Sequence, residues 1–323
     1  MRHLISLKEQ SKEDILTMLD MAQKIKAKRN AGELTNYLEN KTLIMLFQKT
    51  STRTRLSFEA GMTELGGHAI YLDSRTTQLS IGTDFVDEIR AIMRYGNILM
   101  FRALKYEDTK TAASLNQIPV IDALSEKYHP CQALGDMLTM IEHSNGIENI
   151  KKVVWLGIEN NVMNTLMLAC TRLGIKFTII APNIDKSSVD KELNKQAEST
   201  GLVERTLDLA EGLKNADYVH TDSCLNMEFF KDGEVLSKFH KQYEERIKSF
   251  MEGYQINAKL INDYCPQAKI MHCMACHIDY EITRDAVDHP NSIIFDQAEN
   301  RMHIQKAIIM WLLGHNVIPS ETK

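Results

Sequence analysis

The sequence predicts an α/β chain of two doubly wound parallel-sheet domains. Short apolar runs bounded by turn residues alternate with stretches of helical spacing, the pattern of βαβ units. A polar break, Ser144-Asn-Gly-Ile-Glu-Asn149, is followed by a second series of the same kind. The length, 323 residues, matches two domains at roughly 150 residues each. No internal repeat and no low-complexity segment interrupts this reading.

Ser11, with Asp14 three residues on, resembles a capping box and opens the first helix. Ile15, Met18, Leu19, Ala22 and Ile25 form its apolar face, and Asn30-Ala31-Gly32 ends it. Lys41 to Phe47 reads as a buried strand and Gln48-Lys49-Thr50 as a loop. Ser51 begins a helix through Phe58, Met62 and Leu65, stopped by Gly66-Gly67. His68 to Leu72 is a strand, Phe85 to Tyr95 a helix and Asn97 to Phe101 a strand. Lys110 to Leu115 is helical, Pro119 to Ala123 a strand and Cys131 to His143 a helix. The second series comprises strand Lys152–Gly157, helix Val162–Leu173, strand Lys176–Ile180 and a helix near Val189 to Ala197. Tyr218–Thr221 and Lys269–His272 are strands, and Asn300 to Leu313 is a closing amphipathic helix stopped by Gly314.

Hydrophobic residues make up 44% and charged residues 25%, which excludes a disordered chain, a collagen and a disulfide mini-protein. No apolar run approaches the roughly 20 residues that cross a bilayer. The net charge of −5 lacks the basic excess of a nucleic-acid binder. Local charge in a cleft matters more than net charge for a small anion, so an anionic substrate fits. The first residues, MRHLISLKEQSKEDIL, carry no apolar segment with a small-residue cleavage site. Cys131, Cys170, Cys224, Cys265, Cys273 and Cys276 are spread along the chain. Together these features predict a cytoplasmic protein with free thiols.

Three segments at strand ends of the first half carry the chemistry. Ser51-Thr-Arg-Thr-Arg55 opens a helix directly after a strand. Free backbone N–H groups, the hydroxyls of Ser51, Thr52 and Thr54, and two arginines there make a phosphate cradle. An ordinary N-cap with solvated arginines is the bland alternative. Arg102 leaves the strand Asn97 to Phe101, and ligands of open α/β sheets sit at such carboxyl ends. His129-Pro130-Cys131-Gln132 again joins strand to helix, and His129 and Gln132 can donate to a carbonyl or phosphate oxygen.

Together, in this order and spacing, these segments resemble the carbamoyl-phosphate half of the aspartate/ornithine carbamoyltransferase family. Leu65-Gly-Gly67 and Phe295-Asp-Gln-Ala-Glu-Asn-Arg301 extend the likeness over essentially the whole chain. It implies a carbamoyl-phosphate-binding domain over 1–145, an ornithine-binding domain over 146–300, and a C-terminal helix, 301–323, returning to the first. It also implies a homotrimer or a multiple of one, with no nucleic-acid or membrane partner and no metal or organic cofactor.

The acceptor half is less regular. Gly157-Ile-Glu-Asn-Asn161 stands where a dinucleotide fingerprint would lie but lacks G-x-G-x-x-G, which counts against a Rossmann dehydrogenase. By resemblance Asn161 holds the amino-acid portion of ornithine and Asp222 its α-amino group. Asn226-Met227 and Glu228 stand where ornithine enzymes carry Ser-Met-Gly, and the following stretch to Tyr254 is longer than usual. His272-Cys-Met-Ala275 replaces His-Cys-Leu-Pro. A cis bond is far less favourable before alanine than before proline, so either Met274–Ala275 keeps the cis form or the loop is rearranged. Cys273-Met-Ala-Cys-His277 also matches the C-x-x-C-H pattern of haem attachment, which needs an exported chain.

The resemblance implies transfer of the carbamoyl group of carbamoyl phosphate to L-ornithine, giving L-citrulline and phosphate. Arg53, Arg102, His129 and Cys273 are the expected catalytic residues. Ser51, Thr52, Arg53, Thr54, Gln78, Arg102, His129, Gln132, Cys273, Met274 and Arg301 are expected to bind carbamoyl phosphate, Gln78 in a neighbouring subunit's site. Lys49 is a further phosphate-loop cation. Asn161, Asp222, Asn226 and Met227 are expected to bind ornithine. The alternatives are another acceptor, such as putrescine or an acylated ornithine, and a non-catalytic paralogue that binds carbamoyl phosphate.

Overall fold

A computed structural model describes residues 1–224, 230–231 and 234–318. The chain forms two compact units. The first comprises Met1–Thr139, Asn164–Ala169 and Glu299–Lys323; the second comprises Met140–Met163 and Cys170–Ala298.

The first unit holds a four-stranded parallel sheet in the order β2-β1-β3-β4. Its strands are β1 (Thr42–Phe47), β2 (His68–Asp73), β3 (Ile98–Arg102) and β4 (Val120–Leu124). β1 and β3 are buried almost throughout, which is why they read as continuous apolar runs. The chain runs outward from β1 to β2 on one side and to β3 and β4 on the other, so the sheet reverses its order at the β1/β3 boundary. There the register pairs Phe47 with Arg102. The segment leaving β1 toward Ser51 and the end of β3 therefore emerge side by side.

Helices α1 (Lys12–Asn30), α2 (Thr52–Glu64), α3 (Phe85–Met93), α4 (Tyr106–Ser114) and α5 (Pro130–Ser144) connect or flank these strands. The capping box at Ser11 and Asp14 forms as expected. Helix α2 ends at Gly66 and Gly67. Gly66 has φ +78°, and a Cβ on Gly67 would lie 3.0 Å from the Lys41 carbonyl and 2.2 Å from Met62 Cε, so the pair both ends the helix and lets the chain pass β1 closely. Helix α4 starts at Tyr106, four residues before the expected Lys110. Lys105 at its N-cap makes no side-chain cap bond, so the usual start signal is missing, and Glu107 and Asp108 complement the dipole instead.

The second unit holds a five-stranded parallel sheet in the order β11-β8-β5-β6-β7. The strands are β5 (Lys152–Glu159), β6 (Lys176–Ile184), β7 (Val203–Arg205), β8 (Tyr218–Thr221) and β11 (Lys269–His272), and a small antiparallel pair joins β9 (Phe230–Lys231) to β10 (Glu234–Val235). Helices α6 (Asn161–Arg172), α7 (Lys191–Glu198), α8 (Leu209–Leu213), α9 (His240–Ser249), α10 (Ala258–Tyr264) and α11 (Arg284–Val287) follow in order. The order reverses between β5 and β8, and β11 lies beyond β8 with His272 opposite Thr221. Asn160, Asp222 and Cys273 consequently leave three adjacent strands at the same sheet edge. Gly157 allows this closeness: its φ is +153°, and a Cβ there would lie 3.0 Å from Thr221 Oγ1. β7, α8, α9 and α10 were not expected from the sequence, because they are short and carry weak periodicity.

The last helix, α12 (Ile294–Leu312), begins six residues before the expected Asn300. From Glu299 onward it belongs to the first unit. Lys306, fully buried, places Nζ 2.5 Å from Glu64 of α2, whose other oxygen takes Arg29 of α1 at 2.8 Å. His303, also buried, places Nε2 3.1 Å from Glu299. Burial and the Lys306 charge outweigh that carboxylate and hold the His303 pKa down at about 4. No described helix is long and apolar enough to cross a membrane.

His303 therefore binds a proton more readily in the unfolded chain. Stability attributable to it is complete above pH 6.5 and falls as pH drops toward 4, by at most about 2–3 kcal/mol. A thermal-melting series between pH 7 and pH 4 checks this: the decline in melting temperature is shallower in His303→Gln than in the parent chain.

Candidate active site

In the first unit Ser51 is the N-cap of α2. Its Oγ accepts from the Thr54 N–H at 3.4 Å and donates to Thr54 Oγ1 at 3.0 Å. Thr54, 1% exposed, is the meeting point of the cluster. Its hydroxyl also accepts from Arg102 Nη1 at 3.4 Å and from Arg301 Nη2 at 3.1 Å. Arg301 Nη1 donates to Gln132 Oε1 at 2.5 Å, and Gln132 Nε2 donates to Asp136 Oδ1 at 2.7 Å. Residues separated by up to 250 positions thus converge on one hydroxyl.

His129 is buried beside them, with its backbone N–H on Thr165 Oγ1 at 2.9 Å. Burial, reinforced by the charges of Arg301, Arg102 and Arg53, holds its pKa well below 6.5, so the imidazole is neutral. Burial also brings Arg102 down to about 10, with Arg301 and Arg53 adding to the effect and Asp122 opposing it. Arg102 remains cationic at neutral pH. Asp122 lies fully buried in the middle of β4, and burial pushes its carboxyl well above the usual range, despite hydrogen bonds from Ser125 and the Leu124 N–H. Two buried donor-capable atoms, Arg102 Nε and His129 Nδ1, have no hydrogen-bond partner among the described residues. Buried polar atoms are rarely left so.

Arg53 is half-buried and Thr52 exposed. Arg55 does not join the cradle: its guanidinium stacks 4.0 Å over the Tyr71 ring and pairs with Glu59 at 2.9 Å. Residues i and i+2 on a helix point to different faces, so the spacing itself separates Arg53 from Arg55. Cys131, inside the His-Pro-Cys-Gln run, is a core residue, and burial pushes its thiol up to about 12. Lys49 is half-buried in the loop after β1. Gln78 opens an exposed 3-10 turn, Gln78–Ile81. Gln48 was not singled out from the sequence, yet it staples the β1 and β3 ends: its Oε1 accepts the Leu104 N–H at 2.7 Å and its Nε2 donates to Asp108 at 2.9 Å.

In the second unit Asp222 is the centre. Its Oδ1 accepts from Cys273 Sγ at 2.7 Å and from the Ser223 N–H at 2.7 Å, and its Oδ2 accepts from Asn160 Nδ2 at 2.7 Å. All these donors are neutral. Asn160 Oδ1 caps α6 through the N–H groups of Val162 and Met163 at 3.1 and 3.0 Å. Asn161 stands half-buried at the first turn of α6. The Met274–Ala275 peptide is cis, so of the two forms open to this loop it takes the one the usual proline would have. Asn226 and Met227, with Glu228, lie outside the described residues.

Asp222, His272 and Cys273 offer ligand atoms within 4.8 Å of one another, as a metal site requires. The ring of His272 is already used on both sides, however. Nδ1 accepts the Met274 N–H at 2.8 Å, and Nε2 lies 3.1 Å from Glu281 Oε1. The triad is built to hold a loop.

Comparison with known proteins identifies both halves of the chain. Residues 2–142 match the family model "Aspartate/ornithine carbamoyltransferase, carbamoyl-P binding domain", and residues 149–312 match "Aspartate/ornithine carbamoyltransferase, Asp/Orn binding domain". An ornithine carbamoyltransferase of Methanosarcina acetivorans is 38% identical over 313 residues, covering 97% of this chain and 99% of that protein. An anabolic ornithine carbamoyltransferase of Pyrococcus furiosus is 38% identical over 316 residues, covering 97% and 96%. Among solved structures, ornithine carbamoyltransferase from Pyrococcus furiosus superposes with a TM-score of 0.86 at 36% identity, covering 98% of this chain and 97% of that one. The anabolic enzyme from Campylobacter jejuni gives 0.84 at 34% identity, covering 97% and 99%. With both domain models matched in order along nearly its full length, the chain belongs to the aspartate/ornithine carbamoyltransferase family.

Proposed function

We propose that this chain transfers the carbamoyl group of carbamoyl phosphate to the side-chain amine of L-ornithine, giving L-citrulline and phosphate. One observation carries the reading: Arg102 and Arg301 meet at the buried Thr54 hydroxyl while Arg102 Nε and His129 Nδ1 remain buried and unpaired. Such a cluster suits an anion that brings several acceptor oxygens at once.

In this proposal Ser51, Thr52, Arg53, Thr54 and Arg102 hold the phosphate, which must leave as a more highly charged anion. His129, Arg102 and Thr54 face the carbonyl oxygen, which gains charge as the amine attacks. A neutral His129 is suited to donating there without giving up its proton. Gln132 and the Met274 carbonyl hold the carbamoyl NH2, Arg301 adds a further contact, and Gln78 serves the site of a neighbouring copy in a trimer-based assembly. Domains over 1–145 and 146–300, with 301–323 returning to the first, divide these tasks between the two substrates.

For the acceptor, Asn161 donates to the α-carboxylate and Asp222 takes the α-ammonium, with Asn226 and Met227 completing the pocket. An alkylamine has a pKa near 10.4 and must lose a proton to attack. Nearby guanidinium groups favour that loss, and the Cys273–Asp222 pair is placed to receive the proton. The new N–C bond then forms as the C–O bond to phosphate breaks.

Arg53 lies outside the buried hydrogen-bond cluster, so its removal leaves the fold intact. Arg53→Ala lowers kcat/KM by about 2–4 kcal/mol, roughly thirty- to several-hundred-fold, with an unchanged melting temperature. Near-parental turnover would remove the cradle from the mechanism.

The His129 variants test its charge state. His129→Gln keeps a neutral donor and retains more activity than His129→Ala. Because its pKa is held well below 6.5, the parental rate shows no inflection between pH 6 and 7 that the Gln variant abolishes.

Side-by-side kcat/KM values for ornithine, lysine, putrescine and N-acetylornithine decide the acceptor. Ornithine ranks first, and Asp222→Asn weakens it by about 2 kcal/mol or more while leaving carbamoyl-phosphate binding unchanged. Preference for putrescine by tenfold, about 1.4 kcal/mol, excludes recognition of the α-carboxylate.

A further inference from the structure

Glu281 is fully buried and lies between three segments of the second unit. Its Oε1 accepts from His272 Nε2 at 3.1 Å and from the His277 N–H at 2.6 Å, and its Oε2 accepts from the Cys224 N–H at 3.3 Å. Burial pushes this carboxyl up, but the His272 hydrogen bond and the His277 N–H outweigh it and hold it below the usual value. It is therefore a carboxylate, and an acceptor only.

The three donors have a common consequence. His272 sits immediately before Cys273 and takes the Met274 N–H on its other nitrogen at 2.8 Å, so the ring's remaining proton is on Nε2, facing Glu281. His277 closes the far end of the same loop. Cys224 follows Asp222 by two residues. One buried carboxylate thus fixes both ends of the Cys273–Met274 loop and ties it to the Asp222 loop. The distance it sets is the one across which Cys273 Sγ meets Asp222 Oδ1 at 2.7 Å.

We propose that Glu281 is a positioning residue for carbamoyl transfer: through His272, His277 and Cys224 it holds Cys273, Met274 and Asp222 in register for the acceptor amine. This rests on the reading that Asp222 and Cys273 serve the acceptor. The accepting geometry is strict. An amide NH2 in place of either oxygen would meet an N–H, so Glu281→Gln breaks at least one of the three bonds while keeping size and shape.

The test compares Glu281→Gln and Glu281→Asp with the parent. Steady-state citrulline formation gives kcat and both KM values, and calorimetry gives carbamoyl-phosphate binding without acceptor. Glu281→Gln raises the KM for ornithine at least tenfold and lowers kcat at least tenfold, while carbamoyl-phosphate affinity, which depends on this loop only through the Met274 carbonyl, falls less than the ornithine KM rises. Glu281→Asp, which keeps two accepting oxygens, restores at least threefold of the lost kcat/KM. A fall in kcat with both KM values unchanged means only less folded enzyme and overturns the proposal, as does unaltered kinetics. If both variants lose carbamoyl-phosphate binding, His272→Asn decides by the same split. It keeps an acceptor near the place of Nδ1 and deletes the donor to Glu281, and an unchanged KM for ornithine in it overturns the proposal. A parent chain that neither binds carbamoyl phosphate nor forms citrulline overturns the functional reading instead.

Discussion

Three guanidinium groups pressed toward one water-poor place are the constraint on which the first unit depends. Arg102 and Arg301 both donate to Thr54, and Arg53 lies near enough to lower the pKa of Arg102 and of His129. Like charges at that range repel, and burial removes the water that would screen them. The fold offsets this only in part. Asp122 lies beneath Arg102, but its own burial favours the neutral acid. Neutral acceptors do the rest: the Thr54 hydroxyl and the Gln132 amide, the latter oriented by Asp136. In the proposed function, the carbamoyl-phosphate anion supplies the oxygens that balance this surplus of positive charge.

The second unit solves the opposite problem with the same architecture. Both sheets reverse strand order, and both place their chemical groups at the carboxyl ends beside the reversal. In the first sheet the emerging groups are cations and hydroxyls. In the second they are a carboxylate and amides. The difference lies in a handful of loop residues, while the strands that position them are alike in burial and direction. The β8–β11 register brings Asp222 and Cys273 side by side, and Asn160, at the end of the longer β5, reaches Asp222 through its side chain.

Local signals made much of this legible in the sequence. Ser51 with Thr54 three residues on is a cap that any helix could use, and its position after an apolar run marked the cradle. The ends of β8 and β11 were read to the residue, since each is a short apolar run closed by polar residues. What escaped were partnerships between distant segments. Gln48 with Leu104, Thr165 with His129, Asn160 with Asp222, and Glu281 with His272 are hydrogen bonds whose partners share no local pattern. Asn160 was noted beside Asn161 as part of one element, but its task of holding Asp222 appears only once β5 and β8 are neighbours. Arg55 shows the reverse case: the sequence counts it with Arg53 in the cradle, and its stacking on Tyr71 and pairing with Glu59 take it out.

The donors around Asp222 bear directly on what it can recognise. A carboxylate already paired with lysine or arginine has little charge left to offer a ligand. Asp222 instead accepts from a carboxamide, a thiol and a backbone N–H. These orient both oxygens without neutralising them, so the negative charge remains available to an ammonium group. Glu281, by contrast, is held by the His272 imidazole, whose pKa, despite burial, its partners raise to about 10, and by two backbone N–H groups. The donors that meet Asp222 carry no charge, whereas the guanidinium groups that meet Thr54 belong to the first unit. The cationic cluster and the carboxylate thus leave the strand ends of separate sheets, each with its own local charge.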